Sequence, residues 1–233
     1  MTGKLARGAI RSPNIWENPA IYEIENRAVD PDGLILAHLS KHAPWRDRVV
    51  LDIGAGTGFH LPIFATQAQS VIGVEPNLDL LAIAARRVRH LTNVELRHGS
   101  ATALPVASNS VGMMQARWAY FFGPGCEPGL AELDRVMARG GVAAVIDNDP
   151  TRSTFGAWFR RGYPQIDPVS VERFWSVHGW ERHPLLISWQ FANRADFEAV
   201  VGIEFDRSTA TWIREHHLGT CVDYAINIWI KQF

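Results

Sequence analysis

The chain has 233 residues, 47% hydrophobic and 20% charged, enough apolar material for a core that needs no staples. Lys and Arg number 23 against 24 Asp and Glu, and no basic block stands out, which argues against phosphate-driven nucleic-acid binding. Two cysteines, Cys126 and Cys221, exclude a disulfide scaffold and a cysteine-built zinc site, and no run of about 18 apolar residues offers a membrane span.

Residues 1–20 are polar, lack the shape of a signal peptide, and read as a loose arm. A cytoplasmic protein is expected. From residue 21 to 40 the apolar positions Ile24, Val29, Leu34, Leu36 and Leu39 predict helix, broken at Pro31-Asp32-Gly33. Residues 48–53 are a short β-branched run ending in glycines, a buried strand. Helix is then predicted over 58–69, with Pro62 in its first turn, strand over 71–74, and helix over 78–90. Strands at 93–96, 111–115 and 142–146 flank a helix at 128–137. The last third predicts a helix at 168–178, a strand at 185–191, a helix at 194–201 and a final strand at 222–230. Strands alternating with helices imply a doubly wound α/β fold, a mostly parallel seven-stranded Rossmann-like sheet with an antiparallel strand at the C-terminal end. One domain is expected: an N-terminal helical arm or lid (1–44), a cofactor-binding core (45–150) and a substrate-side elaboration (151–233).

The segment Val49-Val50-Leu51-Asp52-Ile53-Gly54-Ala55-Gly56-Thr57-Gly58 carries the chemistry. Glycines after a buried strand let the backbone turn tightly and approach a ligand, and the next helix presents unpaired N–H groups there. A dinucleotide fingerprint would need Gly or Ala at 59, where this chain has Phe, and Asp52 would repel a pyrophosphate. A ligand with an ammonium and a ribose suits the loop better. Glu75 ends the next strand, in position to accept both ribose hydroxyls. The plain alternative for Glu75 is a solvated acid at a helix start.

With these residues together, the chain resembles a class I S-adenosylmethionine-dependent methyltransferase. Asp52 and the three glycines resemble the family's D-x-G-x-G-x-G, and Val74-Glu75-Pro76-Asn77 its ribose-binding strand. Gly99-Ser100-Ala101-Thr102-Ala103-Leu104-Pro105 resembles G-D-A-x-x-L-P, and Arg135-Val136-Met137 with Gly140-Gly141 the turn before the fifth strand. The resemblance covers residues 45–150. It implies S-adenosyl-L-methionine as cofactor, with its methionine part against Asp52, Gly54, Ala55, Gly56 and Gly58 and its ribose on Glu75. Pro76 and Asn77 would flank the nucleoside, Ser100, Ala101 and Thr102 would line the adenine, and Gln115 would contact the site. Ser100 stands where the family has Asp, and Gly112 where its fourth strand opens with an acid, read as a packing change.

The reaction implied is in-line methyl transfer to a small, partly apolar or aromatic acceptor, at oxygen, nitrogen or carbon. Trp118, Phe121 and Phe122 follow the fourth strand and would wall an acceptor or else pack the next helix. Arg117 would bind a carboxylate or pair with Asp147. Asp147-Asn148 resembles part of a magnesium site in catechol-type relatives, but Arg117 nearby disfavours an ion, and no metal is expected. A general base would come from His60, His178, His183, His216 or His217, with His60 and His178 preferred. The aromatics of 151–180 would cover the substrate face or sit in the core, and Ile15, Trp16 and Tyr22 would close over the cofactor. A catalytically silent cofactor binder and a nicotinamide-dependent oxidoreductase are the alternatives, and a homodimer is left open.

Overall fold

The structure, a computed structural model, describes residues 5–233; the first four residues of the predicted arm lie outside it. Seven strands form one sheet: β1 (Val49–Ile53), β2 (Ser70–Glu75), β3 (Val94–His98), β4 (Val111–Arg117), β5 (Met137–Asn148), β6 (Glu181–Gln190) and β7 (Cys221–Gln232), in the order β3-β2-β1-β4-β5-β7-β6. The first five pair in parallel; β7 runs antiparallel to both β5 and β6. The doubly wound prediction holds. Both C-terminal strands join the same sheet, with β7 between β5 and the edge strand β6.

Among the described residues ten helices cover the sheet: α1 (Pro13–Glu17), α2 (Pro19–Ala28), α3 (Leu34–His42), α4 (Leu61–Ala65), α5 (Leu78–Val88), α6 (Glu127–Val136), α7 (Thr154–Gly162), α8 (Pro168–Val177), α9 (Arg194–Glu204) and α10 (Arg207–His216). Strand alternation feeds two cores. Val50, Met113 and Ala144 face one with Phe64, Trp189 and Phe197, while their neighbours Leu51, Met114 and Val145 face another with Leu133, Trp175 and Trp229.

The differences from the predicted elements have local causes. The arm is helical from Pro13, and two prolines start α1 and α2 at positions that need no N–H. The helix predicted over 58–69 shrinks to α4, because Gly58 keeps a left-handed backbone (φ 74°) and delays helical geometry. Helix α7 is not among the predicted elements, and it holds two glycines, Gly156 and Gly162. A Cβ on Gly156 would lie 2.8 Å from the Asp149 carbonyl oxygen, so glycine lets the helix pack there. Helix α10, also unpredicted, is set by Asp206, whose carboxylate accepts from the Ser208 and Thr209 amides. Gly112 lies under Arg48, whose Nη1 donates to the Gly112 carbonyl at 3.1 Å.

Candidate functional site

Strand order reverses between β1 and β4, and in open α/β sheets ligands bind beyond the carboxyl ends at such a reversal. Here that crevice receives the glycine loop. Gly54, Gly56 and Gly58 all have positive φ (75°, 55° and 74°). A Cβ on Gly54 would sit 2.5 Å from the Ala119 Cβ, and one on Gly56 2.8 Å from Ile15 Cδ1, so side chains there would fill the cradle. Glu75 is buried at the end of β2, its two carboxylate oxygens accepting from the Gly56 amide at 2.9 Å and the Asn77 amide at 3.0 Å. Each oxygen keeps a further lone pair. Burial pushes this carboxyl up to about 7, against the two amide donors. Asp52 is buried too, held by Gln115 Nε2 at 3.1 Å, and burial raises it to about 6.

Asp52, Gly54, Gly56 and Glu75 line a cavity of about 160 Å³ with Ala55, Pro76, Ser100 and Ala101. Its outer wall is the N-terminal segment, including Ile15, Trp16 and Tyr22. Ala6 donates its amide to the Pro76 carbonyl (2.9 Å), and Ser100 Oγ donates to the Arg7 carbonyl (2.8 Å). Where the family has an aspartate, this chain thus uses a hydroxyl to tie down its own arm.

Four residues expected at the cofactor are outside the lining and support it instead. Gln115 orients Asp52; Asn77 caps α5 through the Asp79 amide; Gly58 packs on Ala84; Thr102 lies 3.1 Å from Ser100 Oγ. Arg117 and His60 both line the cavity and are hydrogen-bonded through Nη1 and Nε2. Burial and then the Arg117 charge hold the imidazole well below its ordinary pKa, so His60 is a neutral acceptor that orients the guanidinium. Burial lowers Arg117 to about 10, opposed by Asp30 and Asp52. Among the described residues no Arg117–Asp147 ion pair forms. His178 is placed elsewhere: it caps α8, its Nδ1 2.8 Å from the Phe174 carbonyl, and lines neither this cavity nor the next.

A second cavity of about 280 Å³ shares Ser12, Tyr22, Asn26, Trp118 and Phe122 with the first as a common wall. Trp118 has a strained backbone (φ 45°) that turns its ring into this wall. Asn148 Oδ1 accepts from Trp118 Nε1 (2.8 Å) and from the Tyr224 hydroxyl, and the two rings stack with centroids 5.9 Å apart. With its oxygen so used, Asn148 orders aromatics. Of the aromatics in 151–180, Phe159 and Tyr163 line the cavity, whereas Phe155, Trp158, Trp175 and Trp180 are core.

Five carboxylates (Glu25, Asp147, Asp149, Glu172, Glu204) and one guanidinium, Arg182, line this second cavity. Arg182 pairs with Asp149 and Glu172, both at 3.2 Å. Glu25 and Glu204 interact across the packed helices α2 and α9; burial raises both, and the Glu204 charge then pushes Glu25 well above the usual range, while Asn14 and Glu25 oppose the rise at Glu204. Asn14 Nδ2 steadies Glu204 at 2.7 Å. Asp147 is pushed up to about 7 by burial. Sequence reasoning missed the Glu25–Glu204 pair, since its members are far apart in the chain. The one signal was spacing: Tyr22, Glu25 and Asn26 fall on one face of α2.

Residues 50–141 match the family described as Methyltransferase domain. The uncharacterized methyltransferase YcgJ of Bacillus subtilis (strain 168) is 27% identical over 146 residues, 60% of this chain and 57% of that protein. A demethylmenaquinone methyltransferase of Staphylococcus saprophyticus is 25% identical over 144 residues, 55% of this chain and 62% of that one. The matches span less than two thirds of either relative's length. The crystal structure of the Bacillus YcgJ protein has the same fold, with a TM-score of 0.62 at 18% identity, covering 85% of this chain and 98% of that one. The strand order, the glycine loop at the reversal point and the domain match agree: residues 50–141 resemble a methyltransferase domain, set in a sheet of the same fold as the Bacillus YcgJ protein.

Proposed function

We propose that the protein is a cytoplasmic S-adenosylmethionine-dependent methyltransferase that binds its cofactor in the first cavity and a small acceptor in the second. The observation that carries this reading is Glu75, pinned by the Gly56 and Asn77 amides with lone pairs left for two ribose hydroxyls, one shared wall from a second cavity. The glycine cradle fits the cofactor, since Cβ atoms at 54 and 56 would occupy it. When bound, S-adenosylmethionine supplies a methyl group on a cationic sulfonium. Asp52 would hold the ammonium of its methionine part, and Arg117, whose Nε has no hydrogen-bond partner, the carboxylate. Tyr22, Trp118 and Phe122 exclude water between the cavities and hold the acceptor near attack distance.

The Glu25–Glu204 pair gives the acceptor side a proton-accepting group, a role the sequence offered to His60 and His178. A neutral His60 already bonded to Arg117 is a weak base, and His178 is remote. When both carboxylates are ionised, the Glu204 charge beside Glu25 favours uptake of one proton from a nucleophile, which relieves that repulsion. The acceptor would thus be a small molecule with an apolar body, packed on Tyr224 and Phe159, and a nucleophilic atom that sheds a proton. The likeness to a demethylmenaquinone methyltransferase supports an apolar ring acceptor.

Calorimetric titration with S-adenosylmethionine, S-adenosylhomocysteine and NAD tests the cofactor assignment. Saturable binding of either sulfur nucleoside with NAD silent is expected; NAD binding alone would overturn it. Methyl transfer from labelled cofactor to a panel of phenols, amines and quinols then separates an enzyme from a silent binder.

A further inference from the structure

Three histidines from two distant stretches of chain meet where α3 packs on the sheet's edge strand β6, away from both cavities. His38 and His42 are one helical turn apart on α3 and present one face. His183 lies on β6, and Glu181, two residues before it, shares its side of the strand. The rings are in contact: centroids are 4.4 Å apart for His38–His42, 5.0 Å for His38–His183 and 4.7 Å for His42–His183. One ligand nitrogen from each lies within 4.8 Å of the others. The geometry points to a divalent metal site of the zinc type, with His38, His42 and His183 as ligands and Glu181 in support.

A tetrahedral zinc ion with Zn–N bonds of about 2.0–2.1 Å spaces its nitrogens about 3.4 Å apart. His38 Nε2 and His183 Nδ1 already stand at 3.1 Å, so ring rotation of His42 brings the third nitrogen in. The opposite nitrogen of His183, Nε2, makes no hydrogen bond among the described residues and lies 3.4 Å from Glu181 Oε1. A carboxylate on the far nitrogen is the arrangement that orients a metal-bound imidazole and raises its basicity. Three nitrogen donors select zinc, copper or nickel over magnesium or calcium.

The site has a place in the architecture. The turn between α2 and α3 already rests on β6, with the Asp30 amide donating to the Ser188 carbonyl at 2.9 Å and Val29 bridging Trp189. A metal at His38, His42 and His183 clips the next helix to the same strand, and so fixes the segment whose preceding helix carries Tyr22 and Glu25. This site is independent of the transferase reading and stands or falls without it.

Untagged, chelator-treated protein titrated with zinc chloride tests the assignment. The expected result is one bound equivalent and a higher melting temperature, with magnesium chloride silent. His183→Gln and His38→Gln should each remove the binding, and Glu181→Ala should weaken it about 10-fold or more. Should a variant misfold, copper(II) added to wild-type protein reads the same question. Broadening of imidazole NMR signals confined to these three histidines supports the site; broadening at His216 and His217 instead overturns it. Absence of stoichiometric zinc binding, or unchanged binding in folded His183→Gln, also overturns it.

Discussion

The wall of the first cavity proposed to meet the cofactor is nearly contiguous chain: residues of the loop from Asp52 to His60 and the strand end at Glu75. The acceptor cavity gathers its polar groups from across the fold, Tyr22 and Glu25 from α2, Asp147 from β5, Glu204 from α9 and Tyr224 from β7. The contrast follows from what each must recognise. A fixed ligand is met by backbone geometry, so glycines with positive φ and a carboxylate locked by amides suffice. On the proposed reading, an acceptor would be met by side chains projected from separate elements onto a common scaffold.

The sharpest way to break this division is to remove charge from one cavity and read the other. Glu25→Gln is expected to lower the turnover of an identified acceptor by about 10²–10⁴-fold, the range for a lost general base. Cofactor affinity should stay within a few-fold in calorimetry. Glu75→Ala should do the reverse, weakening S-adenosylhomocysteine binding about 100-fold or more, because two charge-assisted hydrogen bonds at about 1.5–3 kcal/mol each are lost.

Titration gives a smaller effect with a definite sign. Glu75 has a pKa of about 7 in the free protein, and ribose hydroxyls donate to its ionised form. Cofactor affinity should be full above pH about 7 and fall by up to about tenfold per unit below it, with proton release on binding. Fold stability without ligand runs the other way. Asp52, Glu75 and Asp147 are all raised, so their contribution is present below the unfolded carboxylate range near pH 4 and lost as pH rises through about 6–7. Melting of ligand-free protein across that window checks it. The smallest change is Ser100→Ala. It releases the Arg7 carbonyl at a cost of about 1 kcal/mol, so hydrogen exchange of the arm should speed about fivefold with the core unaffected.

The same contrast explains what was legible in the sequence. Strand β1, its glycines and Glu75 act through local spacing, and local spacing is what a sequence displays. Helix α7 was hidden because Gly156 answers a tertiary demand, the close approach of the Asp149 carbonyl. The Glu25–Glu204 pair joins residues at opposite ends of the chain. Its only local trace is that Tyr22, Glu25 and Asn26 share a helix face. The aromatic neighbourhood that singled out His178 is core: Phe174, Trp175 and Trp180 are buried, and the histidine lies tilted against Phe174 while capping its own helix. The metal-type cluster was equally out of reach, since His183 meets His38 and His42 only once β6 becomes the sheet edge beside α3.

The division of labour is tested most directly by S-adenosylhomocysteine calorimetry on Glu75→Ala and Glu25→Gln side by side, each confirmed folded. The account predicts saturable binding by wild-type protein, near-wild-type binding by Glu25→Gln and loss of about 100-fold or more by Glu75→Ala. Equal losses in both variants, or full affinity in Glu75→Ala, would contradict it.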